Sequence, residues 1–205
     1  MTDKRPVGRP RQFDDAHERT LILEAAYSAL RDLGHEFTVA SILAQAGVST
    51  RSFYRHFESK DALLCAMYLR DAEWASARLA KRLADADDPP DAVRRWVDEV
   101  FAFRRNARRA ERVAVLGSIA GSRAEGAELV AARSREMLTE SLRSAIADGA
   151  GDGSFTVDSA DLAADLVAAA VLHAAGLATP GSVTSAAEQQ ATTAFCLRAL
   201  GFVGA

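Results

Sequence analysis

Residues 38–57 read TVASILAQAGVSTRSFYRHF, and this stretch decides the fold. Thr38 and Ser49 each precede a short helical pattern, and their hydroxyls can accept hydrogen bonds from its first backbone amides. Gly47 ends the first pattern about three residues before the second begins. Two helices of about two turns, joined by such a turn, cross steeply and form a helix-turn-helix. We therefore expect DNA to be bound here, with the second helix in the major groove.

The side chains of the second helix divide between two faces. Phe53 and Phe57 are four residues apart, so they share a face that we expect to be buried against neighbouring helices. Hydrophilic side chains are expected to point away from that face and to reach phosphates or base edges. They are Arg51, Ser52, Tyr54 and Arg55. Thr38 and Lys60 lie in the first turns of flanking helices, where backbone amides favour phosphate binding.

The run from Thr38 to Leu64 resembles the DNA-binding domain of the tetracycline-repressor (TetR) family of bacterial regulators. Three pieces carry the resemblance, namely Ala46-Gly47-Val48-Ser49, Phe53-Tyr54-Arg55-His56-Phe57 and Ser59-Lys60-Asp61-Ala62-Leu63. They cover about the first third of the chain. The resemblance implies a nine-helix protomer whose first three helices and the start of the fourth bind DNA. It also implies that later helices hold an effector pocket and that the last two pair with a second subunit.

The resemblance assigns roles to individual residues. Those that match the family's phosphate-contact positions are Thr38, Tyr54, His56 and Lys60. Those that fall where the family contacts bases are Thr50, Arg51 and Ser52. Ser49 and Arg55 complete the residues expected to bind DNA. Two positions depart from the family pattern, because Leu43 replaces a small alanine and Arg51 replaces a common glycine, which adds a cation to the recognition surface.

A short basic arm precedes this domain. Residues 1–11 carry four basic side chains against one acidic one, whereas the whole chain has a formal net charge of −3. Local charge says more about DNA binding than the total does. Gly8-Arg9-Pro10 resembles the core of an AT-hook, in which arginine enters a narrow minor groove. Binding of Arg9 to the minor groove and a role as a disordered solubilising tail are both open for this arm.

Beyond the helix-turn-helix the pattern is helical, and alternating strand segments bounded by turns are absent. We expect an all-α fold of about nine helices, one of them at about residues 108–122. Gly149-Ala150-Gly151-Asp152-Gly153 is expected to be a flexible loop. The expected domains are a flexible basic arm over 1–13, a helix-turn-helix DNA-binding domain over 14–60, and a helical ligand-binding and dimerisation domain over 61–205.

Apolar and aromatic side chains in the second domain are candidates to line an effector pocket between helices. They are Met67, Trp74, Trp96, Phe101, Phe103, Met137 and His173. Most such residues belong to an ordinary core, and a lone histidine in an apolar helix is more often a core or interface residue than a ligand contact. A pocket of this composition suits a small apolar or amphipathic effector.

The last two helices are rich in alanine, which lets helices approach closely. The residues expected at an interface with a second copy are Leu162, Leu166, Ala169, Leu172, Phe195 and Leu197. Two helices from each copy would form a four-helix interface in a homodimer. A symmetric dimer requires a pseudo-palindromic operator in double-stranded DNA.

Several other functions lack support in the sequence. The four histidines have no metal-ligand spacing, and there is no P-loop, no GxGxxG after a strand and no GxSxG elbow. We therefore expect no enzyme activity, no metal and no cofactor. Cys65 and Cys196 are interpreted as buried free thiols in a reducing compartment. No secretory signal and no membrane span are visible, so a cytoplasmic location is expected.

These observations predict a sequence-specific DNA-binding transcription regulator that acts as a ligand-released repressor. An effector would favour a conformation with the wrong separation of the two recognition helices, and it can do so only through its differential affinity for the two states. Two alternatives stay open: an all-helical adaptor without DNA binding, and an activator on the same scaffold.

Overall fold

The computed structural model describes residues 15–105, 127–176 and 185–204. Within these ranges the regular structure is entirely helical, which confirms the predicted all-α fold. The described helices are α1 (Asp15–Leu33), a 3-10 helix (Gly34–Glu36), α2 (Val39–Ala46), α3 (Thr50–His56), α4 (Lys60–Ala84), α5 (Pro89–Arg105), α6 (Ala127–Asp152), α7 (Ala160–Ala174) and α8 (Ala186–Ala199). The arm with Arg9 and the helix predicted at 108–122 lie outside the described residues.

The chain divides into two compact units between Leu63 and Leu64, inside the first turns of α4. The N-terminal unit holds α1, α2, α3 and the start of α4. The remaining helices form the C-terminal unit. No helix in the described ranges has an apolar stretch long enough to cross a lipid bilayer.

Apolar side chains from each short helix hold the N-terminal unit together. Helix α1 contributes a buried stripe at helical spacing, formed by Ile22, Leu23, Ala25, Ala26, Ala29 and Leu30. Ile42 of α2 and Phe53 of α3 are fully buried. The predicted buried face of α3 is confirmed, because the Phe53 and Phe57 ring centroids are 5.9 Å apart and both rings are buried. Burial of each large apolar side chain stabilises the unit by about 1.5–3 kcal/mol.

The core of the C-terminal unit is built mainly from α5, α6, α7 and α8. Trp96 is fully buried, and its indole N–H donates to the carbonyl oxygen of Leu138 at 3.1 Å, so the ring's polar atom is satisfied. Glu99 is also buried and forms an ion pair with Arg78. The unit therefore encloses a few polar groups that are paired within it.

The prediction of a flexible loop at residues 149–153 is wrong, because α6 continues to Asp152. Gly149 lies within the helix and gives space to an aromatic ring, since a Cβ at this position would be 2.2 Å from Cδ2 of Phe155. The Phe155 amide donates to the Gly149 carbonyl at 2.8 Å and fixes this approach. The chain turns at Gly153, whose φ of 82° lies in the left-handed region.

Candidate nucleic-acid interface

Side-chain caps define both helices of the helix-turn-helix. Thr38 Oγ1 accepts from the Ser41 amide at 3.1 Å, and Ser41 Oγ accepts from the Thr38 amide at 3.0 Å, which forms a capping box at the start of α2. Gly47 ends α2 with a left-handed φ of 65°. Ser49 Oγ then accepts from the Ser52 amide at 3.1 Å and starts α3. The caps and the turn predicted from the sequence are confirmed.

Replacing Gly47 by alanine is expected to destabilise the N-terminal unit by about 1 kcal/mol. A Cβ at this position would meet no atom within 4 Å, so the loss comes from the left-handed backbone alone. Asparagine tolerates this conformation and should lose less. Hydrogen–deuterium exchange of the α2 and α3 amides would measure both losses. Equal losses for the two variants would contradict the explanation from backbone conformation.

The exposed face of α3 presents three different polar groups. Thr50 and Arg51 are exposed, and Tyr54 retains 54% of its accessible surface. The Tyr54 ring packs edge-on against the buried Phe53 ring, with centroids 5.3 Å apart and planes at 83°, so the core beneath it orients the phenol. A hydroxyl, a guanidinium and a phenol on one short helix can contact phosphates and base edges.

Three other residues predicted to bind DNA lie against Glu18 of α1. Ser52 Oγ and Arg55 Nη2 both donate to Glu18 Oε2, and His56 Nε2 lies 3.1 Å from the same oxygen. Ser52 is only 7% exposed, and the His56 side chain is 8% exposed. Arg55 is half exposed, and its Nη2 also lies 3.3 Å from Asp15 Oδ1. The single carboxylate of Glu18 therefore contacts all three of these polar side chains of α3.

The expectation that Ser52 points outward with Arg51 and Tyr54 is wrong, because its hydroxyl faces α1. Glu18 was not among the predicted site residues, since an acidic residue in the first turn of a helix is usually solvated. Its spacing carried a signal, because Glu18, Ile22 and Ala26 are successive members of one i, i+4 row, and the last two are buried. A charged residue in line with a buried stripe indicates a partner on the facing helix.

The surroundings of Glu18 favour its ionised form. The hydrogen bond from Ser52, the one with His56 and the nearby charge of Arg55 together lower the pKa of the Glu18 carboxyl below its usual range, although partial burial opposes this shift. The carboxylate is therefore charged at neutral pH. Its contribution to folding is present above the ordinary glutamate pKa and is lost as the pH falls through the lowered folded-state pKa.

Lys60 joins the starts of two helices. Its Nζ donates to the carbonyl oxygen of Phe37 at 2.5 Å and lies 4.1 Å from the centroid of the Phe37 ring. Phe37 directly precedes Thr38, the exposed cap of α2, and Lys60 is the first residue of α4. The two residues expected at phosphate contacts outside α3 are thus linked through Phe37.

The candidate pocket residues have several environments in the C-terminal unit. Met67, Trp96 and Phe101 are buried, and the last two belong to the core cluster. Met137 is partly buried, and His173 is exposed on α7. Trp74 and Phe103 meet edge to face, with ring centroids 6.3 Å apart.

Most of the candidate interface residues lie on the surface of α7 and α8. Leu162, Leu166 and Phe195 are 60%, 62% and 55% exposed, and Ala169 is exposed on the same side of α7 as the two leucines. Leu172 is half-buried and packs against the core. Leu197 does not fit the expectation, because it is buried in the core of its own protomer and has almost no surface to offer a partner.

Comparisons with known proteins agree with this geometry. Residues 22–67 match the family model described as bacterial regulatory proteins, tetR family. One similar solved structure is a TetR-family transcriptional regulator from Agrobacterium tumefaciens, with 22% identity, 91% of this chain and 99% of that chain covered, and a TM-score of 0.66. Another is RolR with its ligand resorcinol, with 21% identity, 92% of this chain and 90% of that chain covered, and a TM-score of 0.66. The transcriptional regulator FadR from Bacillus subtilis, in complex with stearoyl-CoA, is also similar (13%, 88% and 98%, 0.70). Curated protein sequences give no match.

A capped helix-turn-helix with a polar and cationic outer face defines a DNA-binding regulator rather than an enzyme. The match to the tetR family of bacterial regulatory proteins covers residues 22–67, which hold the helix-turn-helix. The solved structures extend the likeness of fold over about nine-tenths of the chain.

Proposed function

We propose that this chain is a repressor that binds a pseudo-palindromic operator as a homodimer and leaves it when a small effector binds. The observation that carries the proposal is the exposed Arg51 beside Tyr54 on a recognition helix that is capped at its start and packed against α1. Arginine at such a position is suited to bidentate hydrogen bonding with guanine in the major groove. A DNA-binding role also supports a cytoplasmic location, with the chromosome.

The dimer is supported by an apolar surface on α7 and α8. Leu162, Leu166 and Phe195 expose more than half of their surface in the protomer. The two helices are in contact, and large exposed apolar side chains on neighbouring helices are typical of interaction sites. A symmetric pairing of these helices would cover them and would place two recognition helices to contact two half-sites.

The effector is proposed to be small and apolar or amphipathic. Proteins with a similar fold have been solved with resorcinol and with stearoyl-CoA, which are an aromatic and an acyl ligand. The C-terminal unit here offers an aromatic pair, Trp74 and Phe103, with the Arg78 guanidinium 5.7 Å from the Trp74 ring centroid. A ligand bound there would release DNA only to the extent that it prefers the conformation unable to bind the operator.

Selection of bound sequences from random duplex DNA tests the proposal at a stated salt concentration. The expected result is a pseudo-palindrome whose half-sites are about one helical turn apart, or a multiple of that spacing. Such a sequence would also locate regulated genes, whose products would indicate effectors to assay. Failure to enrich any sequence, with a folded dimer present, would contradict operator binding by the free protein and would favour the adaptor function.

A further inference from the structure

We propose that Glu18 is a positioning residue for DNA recognition, which docks α3 against α1 through Ser52 and His56 and withholds Arg55 from the DNA. The inference rests on the proposed DNA-binding function. It divides the predicted DNA-binding residues of α3 into two groups with different tasks. The outward group, Thr50, Arg51 and Tyr54, contacts DNA, and the inward group holds the helix in place.

Glu18 sets the orientation of α3. Arg55 and His56 follow Ser52 by three and four residues, so both share a face of the helix with it. All three meet the single oxygen Oε2 of Glu18, and two of them have side chains that are nearly buried. Each helical residue is about 100° around the axis from the next. Fixing the inward face therefore also fixes the direction in which Arg51 and Tyr54 project.

Glu18 also compensates the charge of Arg55. Arg55 forms ion pairs with both Glu18 and Asp15, so the positive charge of its guanidinium is compensated within the domain. Arg51 is exposed, and it has no ion-pair partner among the residues that the structure describes. A compensated cation contributes little to the attraction of phosphates, which dominates binding to random DNA. Glu18 therefore restrains sequence-independent binding while it orients the residue that discriminates bases.

A metal site at the same place is the competing explanation. Asp15, Glu18 and His56 offer ligand atoms within 4.8 Å of one another. However, the Glu18 oxygen already accepts from the Arg55 guanidinium and from the Ser52 hydroxyl. A metal cation at this point would be repelled by the guanidinium. The geometry therefore favours a carboxylate that holds α3 in place over a metal site.

The test is Glu18→Gln, which keeps the size of the side chain and removes its charge. Freed from its strongest partner, Arg55 should add about one phosphate contact to random duplex DNA. The slope of log affinity against log salt should then steepen by about 0.9 for each protomer and by about 1.8 for the proposed homodimer, which is about a twelvefold larger loss of affinity between roughly 50 and 200 mM salt. The ratio of operator affinity to random-DNA affinity should fall. Glu24→Gln, at an exposed position of α1, is the matched control for charge and should change the slope less.

The double variant Glu18→Gln/Arg55→Gln separates release of Arg55 from general loss of structure. It should return the salt slope to that of Arg55→Gln alone, because the freed cation is absent. An unchanged slope in Glu18→Gln, a slope that stays steep in the double variant, or an equal change in Glu24→Gln would overturn the proposal. If Glu18→Gln unfolds α3, Asp15→Asn replaces it and should steepen the slope by a smaller amount. If the wild-type protein prefers no DNA sequence, the proposed function fails instead.

Discussion

Replacing Arg51 by alanine is expected to weaken binding to the operator by about 1–3 kcal/mol per half-site, roughly 5- to 150-fold, and to relax the base preference at one position. Arg51 is exposed on α3, and its guanidinium has no ion-pair partner within the described ranges. A bidentate contact to guanine would supply a discrimination of this size. Binding assays on the selected operator and on its single-base variants would measure both effects.

Two other cations of the N-terminal unit serve as controls for Arg51. Arg55→Ala removes a guanidinium from the same helix, but one that Glu18 and Asp15 hold, so the base preference should not change. Lys60→Ala should lower the affinity for operator and for random DNA by the same factor and should make that affinity less dependent on salt. If all three variants lose affinity for operator and for random DNA in equal proportion, the division between base contacts and phosphate contacts is wrong.

The parts of this site that follow from short-range chemistry were predictable from the sequence. Thr38, Gly47 and Ser49 act on amides and backbone angles a few residues away, so their types and spacing predict where α2 and α3 begin and end. The burial of Phe53 and Phe57 follows in the same way, because their separation of four residues places them on one face.

The parts that depend on contacts distant in the sequence were not predictable. Ser52 lies near the boundary between the two faces of α3, and only the presence of Glu18 across the helix interface decides that its hydroxyl is inward. A glycine such as Gly149 is typical of a helix end, and only the packing of Phe155 against it explains a glycine within the helix. Phe195 and Leu197 are two residues apart and therefore lie on opposite faces of α8, but only the packing partners decide that Leu197 is buried and Phe195 is exposed. Helical periodicity gives the spacing of a face, while the packing partner decides its role.

Replacing Leu166 by glutamate is expected to convert the dimer to monomers at micromolar concentration. Leu166 is 62% exposed in the protomer, so the substitution should leave the protomer folded. In a two-fold symmetric interface the change occurs twice, and it would bury unpaired carboxylates against apolar groups such as Leu162 and Phe195. Burial of an unpaired charge is among the largest single penalties that a substitution can introduce. Sedimentation and light scattering would measure the oligomeric state.

Loss of the dimer should also weaken binding to a full operator. Two linked recognition helices bind with about 10²–10⁴-fold higher affinity than one, because the second binds at a high effective concentration. The variant should therefore bind a full operator little better than a single half-site. Leu129→Glu is the matched control, since Leu129 is 75% exposed and belongs to α6, which is not one of the two proposed interface helices. If Leu166→Glu stays dimeric, the partner surface is not on α7. If it becomes monomeric yet keeps full operator affinity, the two recognition helices do not act as a linked pair.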